Sequence, residues 1–257
     1  MDKTQGLPIN KKYYIYFFED YFKEKKSEAK ALDYGCGKGE IIEEAVRKGY
    51  NFIGVESFYN GKKTPLEYNN GIISRLNPNG VIPYPEGTFD FIYSNQVIEH
   101  VEDLNKVLSE MHRVLKNNGV MMHVFPLKRY FIEGHCGIPF MHWLPKNSWF
   151  RKKLVRVFYN CGFGHNRNRD TKREEWINTV IDFVDNYCFY RSEQEIVKKF
   201  KLKFKIERYE KHKLLYHLSQ KKGLTIKFFS CVARLTPGCI LSFLRSFQGS
   251  IVLVCKK

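Results

Sequence analysis

The chain has 257 residues, 43% of them hydrophobic and 27% charged, which gives room for one large α/β core and too little for two full domains. Its net charge of +16 is lopsided: residues 1–110 carry 14 Lys+Arg against 17 Asp+Glu, and residues 111–257 carry 29 against 10. A basic half disfavours cationic partners and points to phosphate, nucleic acid or an anionic membrane face, a lysine-rich surface kept for solubility being the plain alternative.

In chain order, Met1–Lys12 is polar and basic, unlike a signal peptide. Tyr13–Lys26 reads as a helix, with Tyr14, Phe17, Phe18, Tyr21 and Phe22 on one side. Ala29–Tyr34 is a short apolar strand running into Gly35-Cys36-Gly37-Lys38-Gly39. Glu40–Lys48 is helical and stops at Gly49; Asn51–Val55 is a strand ending at Glu56; Phe89–Tyr93 is another. Asp103–Leu115 is a helix, Asn117-Asn118-Gly119 a turn, and Val120–Phe125 a strand. Residues 127–175 show no clean period. Thr179–Val184 and Glu193–Phe200 look helical, Leu202–Tyr209 alternates like a strand, Gly223–Phe247 reads as two short amphipathic helices, and Ser250–Cys255 is a last strand. Strands alternating with helices imply a mostly parallel sheet covered on both faces. The cysteines (Cys36, Cys136, Cys161, Cys188, Cys231, Cys239, Cys255) are odd in number and form no C-x-x-C pair. That argues for a reducing cytoplasm and against a disulfide framework or a metal site.

Glycines at alternate positions after a strand let the backbone turn sharply and approach a ligand, and the helix that follows offers free N–H groups. A tight turn with no ligand has the same spacing. Glu56, 21 residues after Gly35 at the end of the next strand, can accept from both hydroxyls of a ribose; a solvated strand-end acid is the simpler alternative. The third glycine of the G-x-G-x-x-G fingerprint is absent, which disfavours a pyrophosphate cofactor such as NAD.

Together, D-x-G-C-G-x-G at Asp33–Gly39, the acid-ended strand, Pro85-Glu86-Gly87-Thr88-Phe89-Asp90, Glu99-His100-Val101 and Arg113-Val114-Leu115-Lys116-Asn117-Asn118-Gly119 resemble the class I S-adenosylmethionine-dependent methyltransferases, over residues 28–127. The resemblance implies an α/β fold: a doubly wound, mostly parallel seven-stranded Rossmann-like sheet, with one insertion after the fifth strand and another before the last. It divides a single domain, 1–257, into a cofactor-binding core (28–127), an acceptor-binding insertion (128–200) and last strands (201–257) carrying an amphipathic insertion at 212–247. It implies S-adenosyl-L-methionine as cofactor, with Asp33 on its ammonium, Gly35, Cys36, Gly37 and Gly39 beneath the methionine, Glu56 and Ser57 at the ribose, and Ser94, Asn95 and Gln96 beside the sulfonium. The family's usual aspartate for adenine is missing; Asn79 is the substitute.

Methyl transfer from a sulfonium needs alignment above all; a hydroxyl acceptor also needs a base. Histidine suits that role near neutral pH. In a doubly wound sheet the site lies beyond the carboxyl ends of the strands, where the chain continues as Pro126–Pro145. His135 is the first candidate base and His142 the second, with Glu133 orienting one of them. Lys128 and Arg129 are candidates to hold a phosphate, and Trp143 to bind the acceptor. His100 and His123 are assigned to structure, and no metal is expected. The segment Glu133–Trp143 resembles methyltransferases encoded with bacterial surface-polysaccharide (O-antigen or capsule) genes, which implies a sugar hydroxyl on a nucleotide- or lipid-linked glycan. The basic C-terminal half fits an RNA methyltransferase as the alternative, and a quinone or other small-molecule O-methyltransferase is a third. Residues 212–247 fit peripheral contact with an anionic membrane at its inner face, or packing on the sheet or a dimer partner.

Overall fold

The computed structural model describes residues 6–57, 71–77, 79–165, 167, 171–248 and 250–257. Its strands are β1 (Lys30–Tyr34), β2 (Asn51–Glu56), β3 (Ile73–Arg75), β4 (Phe89–Asn95), β5 (Leu115–Phe125), β6 (Lys205–Arg208) and β7 (Ile251–Lys256). They form one seven-stranded sheet in the order β3-β2-β1-β4-β5-β7-β6. The pairings from β3 to β5 are parallel, and β7 runs antiparallel to both β5 and β6. The expected fold class is therefore present, with both insertions in place.

The helices are α1 (Ile9–Phe22), α2 (Glu40–Arg47), α3 (Leu104–Val114), α4 (Trp149–Asn160), α5 (Arg173–Tyr187), α6 (Glu193–Lys201), α7 (Glu210–Ser219), α8 (Leu224–Leu235) and α9 (Gly238–Gln248). On one face of the sheet α1 buries Tyr13, Tyr14, Phe17 and Phe18 against Phe52, Phe91 and Tyr93; the Phe18 and Phe52 rings meet edge-on at 4.8 Å. On the other face α3 and α6 bury Leu104, Leu108, Met111, Ile196 and Phe200. The central strands are apolar on both sides, as a sheet covered by helices requires. The insertion after β5 has a core of its own from Cys136, Ile138, Met141, Val155, Trp176, Ile177, Val184 and Cys188. Within it Arg151 and Asp185 form a buried ion pair.

Some expectations change. Asn117-Asn118-Gly119 is not a separate turn: β5 already begins at Leu115, and Asn118 takes a left-handed φ of 65° inside the strand. The helix expected at Thr179–Val184 extends over Arg173–Tyr187. α4 and β3 arise where no period was legible. The first turn of α4 exposes Trp149 and Phe150, while its buried side holds Arg151 and Val155, so hydrophobicity and burial do not coincide there.

Candidate functional site

The parallel strands β1, β2 and β4 end on one rim, and their loops build two adjoining cavities there. The larger, about 660 Å³, is lined by Gly35, Gly37, Glu56, Ser57, Asn79, Gln96, Val97, His100 and Phe189, among others. The smaller, about 380 Å³, is lined by Lys11, Asp33, Gly35, Cys36, Gly37, Lys38 and Asn95, among others. Gly35 and Gly37 belong to both and separate them.

The glycine loop has a physical reason at two positions. Gly35 has φ +76°, and a Cβ there would lie 2.6 Å from Val97 Cγ2; only glycine lets β1 turn this close to the β4 loop. Gly39 sits at the N-cap of α2 with φ 70°. The Gly37 N–H donates to Glu56 Oε2 at 2.7 Å, and the Ser57 N–H to Glu56 Oε1 at 2.8 Å. The carboxylate thus bridges the two loops at the mouth, with two acceptor oxygens aimed where a diol would sit. Asp33 is buried at the end of β1, and that burial pushes its pKa up to about 8. A cation delivered into the small cavity would restore its charge. An ammonium at Asp33, a diol at Glu56 and an apolar slot between Leu76, Val101 and Val107 match the three parts of S-adenosylmethionine.

Of three further expected cofactor residues, Ser94 lies outside both cavities, while Asn79 and Gln96 line the larger one with their side chains already hydrogen-bonded. Ser94 is fully buried and its Oγ pairs with His123 Nδ1 at 2.8 Å, in the core and not in a cavity. Burial there holds the His123 pKa down at about 3. Asn79 lines the large cavity, but its Oδ1 accepts from the Val81 N–H at 3.2 Å, closing its own turn. Gln96 takes a left-handed φ of 56° and donates from Nε2 to Ser250 Oγ at 2.7 Å. It ties the β4 loop to the start of β7.

The structure brings Glu133 and His135 together and adds a residue that sequence reasoning had assigned to structure. His135 Nδ1 lies 2.7 Å from Glu133 Oε1, and His135 Nε2 lies 3.1 Å from His100 Nε2. His100 lines the large cavity, and its Nδ1 faces the Tyr187 carbonyl at 2.7 Å. Glu133 also accepts from the Tyr190 hydroxyl at 2.5 Å and from the N–H groups of His135 and Cys136. Burial works against its charge, but these donors, His135 foremost, hold its pKa down at about 2. His100 was visible in the sequence within the Glu99-His100-Val101 motif just after β4, but its partner is 35 residues away.

This geometry fixes the tautomers. A carbonyl and a carboxylate only accept, so both Nδ1 atoms carry hydrogen. Two neutral rings would then face each other with bare Nε2 lone pairs at 3.1 Å, which is repulsive. One proton between them removes the repulsion. Burial alone would lower the His135 pKa, but the hydrogen bond and charge of Glu133, with Glu99, outweigh it and raise it; His100 is lowered, chiefly by burial. The row Glu133–His135–His100 is a proton-holding relay that ends at the cavity wall. Cys188 is close, its Sγ 3.9 Å from both Nδ1 atoms. The three groups place one ligand atom each within 4.8 Å, but the thiol faces the hydrogen-bearing nitrogens and burial raises its pKa. Three lone pairs do not converge, so the set suits a proton better than an ion.

His142 stands apart. It is buried, 4.6 Å from the Tyr190 ring, and lines neither cavity. Lys128, Arg129 and Trp143 line a third cavity of about 620 Å³ with Ser192, Glu193, Gln194 and Val197. Arg129 is ion-paired there with Glu193 at 2.5 Å, so Lys128 is the cation better placed for a phosphate. Arg129 and Glu193 also line a fourth cavity, of about 520 Å³, which reaches Gly238 and Phe243 of α9.

A family model described as "Methyltransferase domain" matches residues 10–176. The chain is 25% identical over 168 residues to a ubiquinone biosynthesis O-methyltransferase of Pelagibacter ubique, covering 61% of this chain and 67% of that one. It is 31% identical over 93 residues to the mitochondrial arginine-hydroxylase NDUFAF5 of Rattus norvegicus, covering 36% of this chain and 27% of the relative. It is 28% identical over 141 residues to a ubiquinone biosynthesis O-methyltransferase of Bartonella quintana, covering 49% of this chain and 54% of the relative. A solved S-adenosylmethionine-dependent methyltransferase from Mesorhizobium loti superposes with a TM-score of 0.49 at 14% identity, covering 89% of this chain and 91% of that one.

Proposed function

The chain belongs to the methyltransferase-domain family and is an S-adenosylmethionine-dependent enzyme; on that premise we propose that it O-methylates a sugar hydroxyl of a nucleotide- or lipid-linked surface glycan. The observation that carries the oxygen acceptor is the relay Glu133–His135–His100 at the wall of the cofactor cavity. An aliphatic hydroxyl is a far weaker acid than a phenol, so it gains most from a built base. The loop Glu133–Trp143 and the cation Lys128 on the third cavity support a phosphate-bearing sugar.

When bound, the cofactor supplies a sulfonium methyl whose leaving group is neutral S-adenosylhomocysteine. Asp33 and Glu56 would hold its two ends, and Gly35 and Gly37 would let it lie against the backbone. The acceptor oxygen enters beside His100, between Gln96 and the rings of Tyr187 and Phe189. As the new C–O bond formed, the hydroxyl proton would pass to the His100–His135 pair, which can hold one proton between its two Nε2 atoms. Glu133 and the Tyr187 carbonyl hold both rings in the tautomer that can accept it.

The relay is a base only when its shared proton is absent, so kcat/KM rises with pH through the raised His135 pKa. Glu133→Gln removes the charge that raises it and moves that limb to lower pH. His100→Ala is expected to lower kcat by about 10²–10⁴-fold while cofactor binding by calorimetry is unchanged; an unaltered kcat removes the relay from the mechanism. A panel of nucleotide-linked sugars against catechols tests the acceptor. Turnover of catechols alone would favour the alternative of a quinone or other small-molecule O-methyltransferase, the reading that the names of the two ubiquinone-biosynthesis relatives support.

A further inference from the structure

We propose that the α8–α9 hairpin is an interfacial membrane anchor that docks the protein on an anionic lipid bilayer. On α8, Phe228, Phe229, Val232 and Leu235 recur along one side and are 65%, 53%, 43% and 79% exposed. On α9, Ile240, Phe243 and Leu244 are about half exposed. Soluble monomers seldom leave so many large apolar side chains contiguous and in water.

The hairpin is held in this pose by the body of the protein. The Lys211 ammonium donates to the carbonyls of Arg234 and Thr236 at 2.7 and 2.8 Å, clamping the joint between the helices. Ser242 Oγ donates to Glu210 Oε2 at 2.6 Å. The α8 side chains are thus presented outward by a fixed scaffold, while the Phe243 ring of α9 borders a cavity with the Arg129 guanidinium over it at 5.6 Å.

The shape selects a surface-lying mode. No single helix among the described residues is long and apolar enough to cross a bilayer; α8 and α9 reach that length and hydropathy only as a pair, and the pair is bent by 116°. With 12 and 11 residues they are roughly 18 and 16 Å long, short of a bilayer's apolar thickness of about 30 Å. Helices of this length with an apolar face and cations on the flank lie in the headgroup region.

Charge selects the occupant. From residue 211 to residue 257 there are nine Lys or Arg and no Asp or Glu. Lys221, Lys222, Lys227 and Arg234 are exposed beside the apolar face. A second copy meeting the same face in a two-fold contact would bring these cations together with no acid from the segment to offset them. Anionic headgroups neutralise them. Arg129 and Glu193 are shared between the cavity reaching α9 and the cavity at Trp143, so docking would place that opening at the lipid surface.

The test is sedimentation of the full chain with vesicles of phosphatidylcholine containing phosphatidylglycerol, against pure phosphatidylcholine. Binding is expected to the anionic vesicles and to weaken with salt. The exposed pair Phe228→Ser/Phe229→Ser should weaken it at least tenfold, and each of Lys221→Glu, Lys222→Glu and Lys227→Glu about fivefold or more. Circular dichroism and cofactor calorimetry should match wild type, so lost docking is distinguishable from lost folding. Failure of the folded wild type to bind anionic vesicles would overturn the proposal. So would a dimer in sedimentation equilibrium that Leu235→Ser dissolves, or RNA retention without vesicle binding.

Discussion

Asp33 combines two demands that oppose each other in the free protein. It must carry charge to hold an ammonium, yet it lies buried at the end of β1 and its pKa stands at about 8. Near pH 7 the carboxyl therefore holds a proton, which an ammonium bound there, as proposed for S-adenosylmethionine, would expel. Calorimetry at pH 7 in buffers of different ionisation enthalpy should report release of up to one proton per cofactor, and affinity should weaken as pH falls below about 8. Asp33→Asn should abolish both the release and the pH dependence, at a cost of roughly tenfold or more in affinity. Undiminished release in that variant would assign the proton elsewhere. This residue was legible in the sequence because the glycines after it fix its place at a strand end. The titration was not, because it comes chiefly from the burial that the folded sheet imposes, with the Tyr93 hydroxyl opposing it and the Glu56 charge adding to it.

At the scale of elements, the strands and helices with a strong period were readable from the sequence: β1, β2, β4, α2, α3 and α6 lie within a few residues of their expected bounds. β3, with three residues, is too short to show a period at all. α4 was hidden for a different reason: its inward side holds the Arg151 guanidinium, which burial would normally forbid, while aromatic residues face outward. Asp185 of α5 makes that possible, the two side chains being 3% and 2% exposed, and Asp185 also accepts from the Asn147 N–H at 2.8 Å. Removing one partner leaves a buried charge unmatched. Asp185→Ala should destabilise the insertion by about 3–5 kcal/mol, seen as a lower urea midpoint, whereas the double variant Arg151→Met/Asp185→Leu should recover most of that loss. A single Asp185→Ala within 1 kcal/mol of wild type would show that the pair is solvated. The relay is a similar case: Glu133 and His135 are two apart and visible as a motif, but His100 joins them only through the fold.

For the whole molecule, the buried acids set the pH response. Asp33 and Glu99 both have pKa values raised to about 8 by burial, so the folded state binds their protons more tightly than the unfolded chain does. Stability from these two protons is full below their unfolded values near 4 and is lost as pH rises toward 8. His123, held neutral at about 3, acts oppositely, but only below about 6.5. Between about pH 6.5 and 8 the acids act without that opposition, and the raised His135 adds to them. The cofactor-free protein should lose stability across this window, by up to about 1.4 kcal/mol per pH unit for each proton, and saturating cofactor should flatten the part due to Asp33. A melting temperature that rises from pH 6.5 to 8 would contradict this.

The place of β7 has a consequence for how the sheet is made on the ribosome. β7 is the last of the seven strands to be synthesised, yet it pairs inside the sheet, with Phe125 of β5 opposite Ile251. The half-sheet β3-β2-β1-β4-β5 can assemble early, but its β5 edge then waits for a neighbour 126 residues downstream. At about 5–20 residues per second this wait lasts roughly 6–25 seconds, with an apolar strand edge open to mispairing. The apolar hairpin α8–α9 emerges just before β7 and ends that interval. A nascent chain that met a lipid surface at that moment would shield one aggregation-prone surface before the other had been closed.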